Sequence, residues 1–236
     1  MMIETSTSSC WSCGDMRAAH FCHACGKVQP PAPVDYFAFF GMPRKLNVDI
    51  PRLEREFYEL SRKLHPDLNA RADKREQEWS LEQSSLLNDA YRTLKDPIKR
   101  TQYLLGLEGV ELEEQSKSAT EKARAAGEVK NQIVPPDLLE EVFELNMQLE
   151  ETRMNKKIGE DDPALAKDLD EHKAAFEKKF EELSQQLKGH WDAWDGALDS
   201  KDEPARRLAL DGMVDLLNRR SYIRNLVRDV NEALGN

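Results

Sequence analysis

Hydrophobic positions recur at helical spacing along most of this chain. Ile50, Leu53, Phe57, Leu60 and Leu64 step by three or four residues and predict one helix, with Asp49 as its cap and Pro51 in its first turn. The aromatic stretch "DYFAFFGM" predicts a short helix before it, ending at Gly41. A third helix is expected from near Lys74 to Leu94, with Leu87, Ala90, Tyr91 and Leu94 facing inward, and Pro97 opens a fourth in "PIKRTQYLLGL". The polar stretch "ELEEQSKSATEKARAAGEVKNQ" has little apolar period and reads as a connector. Three longer patterns follow, about Pro136 to Ile158, Asp162 to Leu198 and Asp202 to Leu234. The middle one aligns Leu165, Leu169, Phe176, Phe180, Leu183, Leu187, Trp191, Trp194 and Leu198; the last aligns Met213, Leu217, Ile223, Val227, Val230 and Leu234. Each pattern is apolar on one side only, so the expectation is an antiparallel three-helix bundle. His172, on the middle seam, and His190 read as boundary histidines rather than ligands.

Composition agrees with an all-α fold. Only 11 of 236 residues are glycine, 39% are hydrophobic and 33% charged. No run of about 18 apolar residues suggests a membrane span, and no basic leader precedes an apolar segment, so an intracellular protein is expected. Charge divides unevenly: residues 1–107 hold 15 Lys and Arg against 14 Asp and Glu (+1), and residues 108–236 hold 19 against 30 (−11). So acidic a second half disfavours nucleic acid as a partner, because a polyanion would be repelled.

All four cysteines lie near the start, in "CWSCG" (Cys10, Cys13) and "CHACG" (Cys22, Cys25). Two CxxC pairs, each followed by glycine, can present four thiolates tetrahedrally, and the segment has too few apolar residues to fold unaided. Structural zinc is the expected occupant, ahead of disulfides, a redox dithiol or iron. Four sulfurs close such a site, so no zinc catalysis is expected and His20 and His23 read as bystanders. The proline-rich "VQPPAPVDYF" reads as a linker that keeps this module apart from the helices after it.

Between the second and third predicted helices lies His65-Pro66-Asp67. Proline ends a helix and pushes the residue before it toward extended geometry, so His65 and Asp67 should project from a loop. Arg52, Arg55, Arg62 and Lys63 lie off the apolar seam of the preceding helix and make a cationic flank, diluted by Glu56 and Glu59. No nucleophile accompanies the His and Asp, so a catalytic reading is not supported.

In the first long C-terminal pattern, Leu138, Val142, Leu145 and Leu149 form one seam. Leu139, Phe143 and Met147 form a second row turned roughly 90–170° from it, with Glu140, Glu141, Glu144 and Glu151 in the remaining arc. Either a wide apolar face is shared between both packing neighbours, or the second row is an exposed strip for a protein client.

The tripeptide between two helices, followed by "NDAYRTLKDPIKR", resembles the J-domain of DnaJ-type co-chaperones. With "LLEEVFELNMQLEE" beyond it, the order of domains resembles the HscB/Jac family of iron-sulfur cluster biogenesis, some of whose members also carry an N-terminal tetracysteine module. The resemblance implies a non-enzymatic co-chaperone with a tetracysteine module and linker over 1–34, a J-domain over 35–108, a connector over 109–134 and a scaffold-binding bundle over 135–236. His65, Pro66, Asp67, Arg62, Lys63 and Arg55 would engage a DnaK/HscA-type ATPase and stimulate it. Leu139, Phe143, Glu144 and Met147, with Tyr222 from the last helix, would bind an IscU-like scaffold. Glu140 and Met147 depart from the family pattern, standing where apolar and acidic residues respectively are expected. A J-domain co-chaperone for a different client is the alternative. The implied compartment is the cytoplasm, or the mitochondrial matrix in a eukaryote.

Overall fold

A computed structural model describes residues 9–15, 20–65, 67–110, 112, 134–160 and 162–235. Among them are seven α-helices: α1 (Tyr36–Phe39), α2 (Ile50–Leu64), α3 (Lys74–Lys95), α4 (Pro97–Leu107), α5 (Leu139–Ile158), α6 (Pro163–Ser200) and α7 (Glu203–Leu234). No β-strand occurs among the described residues; one isolated antiparallel bridge joins Phe21 and Val28. No helix among them is long and apolar enough to cross a membrane. The chain divides into two compact units, Met1–Leu104 and Leu105–Asn236.

In the first unit, the carboxylate of Asp35 caps α1 by accepting the Ala38 N–H at 2.9 Å, and that of Asp49 caps α2 by accepting the Arg52 N–H at 3.0 Å. Both satisfy amides that a helix start leaves unpaired. α2 and α3 pack as a hairpin. Leu53, Leu64, Leu87, Ala90 and Leu94 close its core, Phe57 stacks on Tyr91 with centroids 4.0 Å apart, and Lys95 reaches Glu54 at 2.9 Å. The first half of α3 behaves differently. Its buried positions there are Glu76, Ser80 and Gln83, a polar row at i, i+4 and i+7 that the apolar pattern did not show.

That row is covered by the cysteine segment, which corrects the expectation that the proline-rich linker holds it apart. Trp11 meets Trp79 edge to face at 5.6 Å, Gln83 donates to the Gln29 carbonyl at 2.6 Å, and Lys27 lies 3.6 Å from Glu76. The prolines still make an extended connection, but a module with few apolar residues gains from docking Trp11 and its polar groups onto this helix face.

In the second unit, α6 and α7 form a long antiparallel pair. Asp162 and Asp202 cap them, each carboxylate accepting first-turn amides at 2.9–3.1 Å. α5 lies on this pair after a 3₁₀ turn at Pro136–Leu138, where the pattern had suggested helix from Pro136 onward. Leu138, Val142, Leu145 and Leu149 pack with Leu169, Phe176, Ile223, Leu226 and Val230. Asp137 to Arg219 at 2.7 Å, together with a close Lys179–Glu141 pair, fixes the start of α5. Past Leu149 no α5 residue is buried.

Candidate functional site

The loop after α2 is built by side chains that take up the carbonyls a helix end leaves free. The Leu64 carbonyl accepts from Ser80 and Ser84, each at 2.7 Å. Asn69 donates to the carbonyls of Lys63 (3.3 Å) and His65 (3.1 Å) and to Ser80 Oγ (3.1 Å). His65 takes extended backbone angles (φ −59°, ψ 128°), so the helix stops there, as a following proline requires. Pro66 itself lies outside the described residues. The Asp67 N–H donates to His65 Nδ1 at 3.2 Å, which makes that nitrogen the acceptor and leaves Nε2 free to face a partner. Both side chains are open to solvent, with Asp67 Oδ2 3.6 Å from His65 Nδ1. Arg52, Arg55, Arg62 and Lys63 are exposed, and none pairs with a carboxylate among the described residues. The arrangement offers a hydrogen-bonding turn beside unneutralised cations, suited to an acidic and hydrogen-bonding protein surface.

On α5, the second apolar row faces solvent. Leu139, Phe143 and Met147 are 53, 69 and 60% exposed, whereas Val142, Leu145 and Leu149 are buried. The two rows are separate because a helix packed on a two-helix floor has one seam to bury. Glu140 and Glu144 stand exposed beside the strip. Met154 and Ile158 are also open, about two and three turns beyond Met147.

In the cysteine segment, two equivalent turns face one another. Gly14 N–H donates to the Cys10 carbonyl at 2.9 Å and Gly26 N–H to the Cys22 carbonyl at 2.8 Å; both glycines have positive φ (78° and 73°), which side-chain-bearing residues rarely adopt. The four sulfurs lie within 4.8 Å of one another, with Cys10–Cys25 at 3.7 Å and Cys13–Cys22 at 3.5 Å. A tetrahedral zinc with bonds of about 2.3 Å has sulfur–sulfur edges of about 3.8 Å, so these residues fit such an ion. Cys10 Sγ also receives the Ser12 N–H and Gln29 Nε2, each at 3.4 Å, which suits a thiolate. Burial pushes the Cys10 thiol up, but the amides of Cys13 and Ser12 and its cysteine neighbours outweigh this and bring it down to about 6. The Asp15 amide favours a Cys13 thiolate, yet the neighbouring thiols drive it up to about 12. Four crowded sulfurs do not all ionise together without a cation among them. His20 is not placed as a ligand: its ring nitrogens lie 2.8 Å from Gln83 Oε1 and 2.9 Å from the Phe39 carbonyl. It is a bridge rather than a bystander. Its only sequence signal was a place in the cysteine segment, which it shares with His23.

The DnaJ domain family matches residues 35–103. The iron-sulfur cluster co-chaperone protein HscB homolog of Arabidopsis thaliana is 30% identical over 182 residues, 77% of this chain and 66% of its own. The chain carries a DnaJ domain and is homologous to the HscB iron-sulfur co-chaperones. Further relatives are HscB of Mus musculus, 40% identical over 111 residues (44% of this chain, 47% of that one), and of Homo sapiens, 36% over 113 (45% and 48%). The matched segments thus span under two thirds of these relatives' lengths. The crystal structure of human co-chaperone protein HscB is similar in fold, with TM-score 0.60 and 24% identity over 95% of this chain and 98% of that one.

Against the HscB reading of the bundle, one placement differs. Tyr222 is 8% exposed and belongs to the core with Ile223 and Leu226, where burial raises its hydroxyl pKa. α7 is covered from two sides, so the consecutive residues Ser221, Tyr222 and Ile223 are all buried. Tyr222 underlies the α5 contact instead of presenting a free aromatic beside Phe143.

Proposed function

We propose that this chain is a co-chaperone of iron-sulfur cluster biogenesis that stimulates a DnaK/HscA-type ATPase and delivers an IscU-like scaffold to it. The observation that carries the reading is the solvent-exposed row Leu139, Phe143 and Met147 in a unit distinct from the one that bears the His65–Asp67 loop. A bundle that needed the row for its own core would have buried it. The relatives' names supply the class of process, and the match over 35–103 supplies the class of ATPase.

On this reading His65, Pro66 and Asp67 contact the ATPase, with Asp67 accepting a charge-assisted hydrogen bond from a basic side chain and Arg55, Arg62 and Lys63 meeting an acidic patch. Leu139, Phe143 and Met147 supply apolar contact area to the scaffold, and Glu144 adds charge selection at the rim. The chain does no chemistry itself; it couples cargo arrival to a partner's ATP hydrolysis. Zinc held by Cys10, Cys13, Cys22 and Cys25 is structural. Relatives from a plant and two mammals favour the matrix over the cytoplasm as its compartment.

The deciding experiment is a steady-state ATPase assay of the partner chaperone with this protein, with and without scaffold. Synergistic activation, lost on His65→Gln without loss of fold, is expected. Undiminished activation by His65→Gln refutes the ATPase half of the reading. Activation that scaffold does not change favours a co-chaperone serving a different client.

A further inference from the structure

The polar row of α3 connects the cysteine cluster to the His65–Asp67 loop. On one side, Gln29 Nε2 reaches Cys10 Sγ at 3.4 Å, while the Gln29 carbonyl accepts from Gln83 at 2.6 Å. Gln83 also holds His20, which in turn holds the Phe39 carbonyl of α1. Gln29 and Gln83 are 2 and 1% exposed, so water cannot replace these bonds. Glu76, about two turns before Gln83, is buried against Lys27. On the other side, Ser80 and Ser84 of the same helix stretch hold the last carbonyl of α2, and Ser80 receives Asn69 from the loop. A cleft of about 480 Å³ between the cysteine turns and α2 reaches as far as Asn69.

We propose that the cysteine module is a positioning device for the His65–Asp67 loop. A metal ion held by the four thiolates fixes the two turns. The turns clamp the start of α3 through Gln29, His20 and Lys27, and α3 fixes the base of the loop through Ser80 and Ser84. His20, Gln29 and Gln83 act only through other residues. The physical reason is that neither half is complete alone. The cysteine segment has too little apolar area to hold its shape without a metal, and α3 without it would lose the cover over its polar row and the partners of Glu76 and Gln83. Metal affinity and order in the first half of α3 are therefore linked, and linkage is reciprocal: a change in α3 must weaken metal binding.

The reciprocal effect is the test, and it needs no partner chaperone, so its outcome is separate from that of the ATPase assay. Zinc affinity of the full chain is measured by competition with a chromophoric chelator. Gln83→Ala is expected to bind zinc about tenfold more weakly, the equivalent of one net buried hydrogen bond. Trp79→Ala, at the rim of the contact, weakens binding severalfold without opening the polar row. Glu54→Ala, which loosens the same hairpin at Lys95 away from the cysteines, leaves zinc affinity within about twofold. Chelating the metal from the unmodified chain speeds hydrogen exchange at the Gln83 to Leu87 amides about tenfold or more. Wild-type zinc affinity in both Gln83→Ala and Trp79→Ala overturns the proposal. So does an equal loss in Glu54→Ala, or unchanged α3 exchange after metal removal.

Discussion

Replacing Phe143 by alanine separates a docking role from a folding role. A phenylalanine side chain offers roughly 200 Å² of surface, so at 69% exposure about 140 Å² is open to a partner. At about 25 cal/mol per Å², full coverage would stabilise a complex by about 3.5 kcal/mol, an upper bound because association also orders side chains. Allowing for that cost and for the methyl that remains, truncation should weaken scaffold binding by about 2 kcal/mol, or roughly 30-fold. Folding stability should change little, since most of the ring touches nothing in the free protein. Leu145, two residues on and fully buried, is the contrast: Leu145→Ala should cost roughly 2–5 kcal/mol of stability. Calorimetric titration with scaffold and thermal unfolding of both variants measure the two quantities. A Phe143→Ala protein that binds within about threefold of wild type, or that loses as much stability as Leu145→Ala, refutes the exposed-strip reasoning.

Other substitutions probe the frame that carries these sites. A Cβ at Gly212 would fall 2.1 Å from Cε1 of His190, so Gly212→Ala must displace that ring. In a His190→Ala background the same change should gain about 1 kcal/mol of helix propensity, and denaturant unfolding of the four proteins should show coupling of at least about 1 kcal/mol. The hydrogen bond and charge of Lys95 hold the Glu54 carboxyl below its ordinary value of 4.5. A depressed carboxyl stabilises the fold above its unfolded pKa and loses that contribution as pH falls through the folded value. Glu54→Gln should thus be less stable than wild type at neutral pH and converge with it on acidification, in pH-dependent urea melts. Cys13→Ser leaves only the sulfurs of Cys10, Cys22 and Cys25 for a site that closes with four, and should lower bound zinc well below one equivalent by elemental analysis under reducing conditions.

Much of this was legible in the chain because it depended on local rules. Helix starts at Asp49, Asp162 and Asp202 follow from a carboxylate that accepts first-turn amides, and that chemistry is contained in four consecutive residues. The second row on α5 could be seen because periodicity alone puts Leu139, Phe143 and Met147 at an angle to the buried seam. Its exposure could not, since periodicity does not say how many neighbours a helix has. Tyr222 shows the same limit in reverse: the aromatic was visible, but only the placement of α7 against both other helices decided that it is buried.

The sequence by itself determined the capped helix starts at Asp49, Asp162 and Asp202, which residues can gather four thiolates, and that a His-Pro-Asp turn must interrupt the basic helix, all consequences of backbone geometry within a few positions. Only the tertiary structure decided that Glu76, Ser80 and Gln83 have a use. Their partners Lys27, Leu64, Gln29 and His20 lie 16 to 63 residues away along the chain, and a buried polar group is identified by the bond it makes in space rather than by its neighbours in sequence.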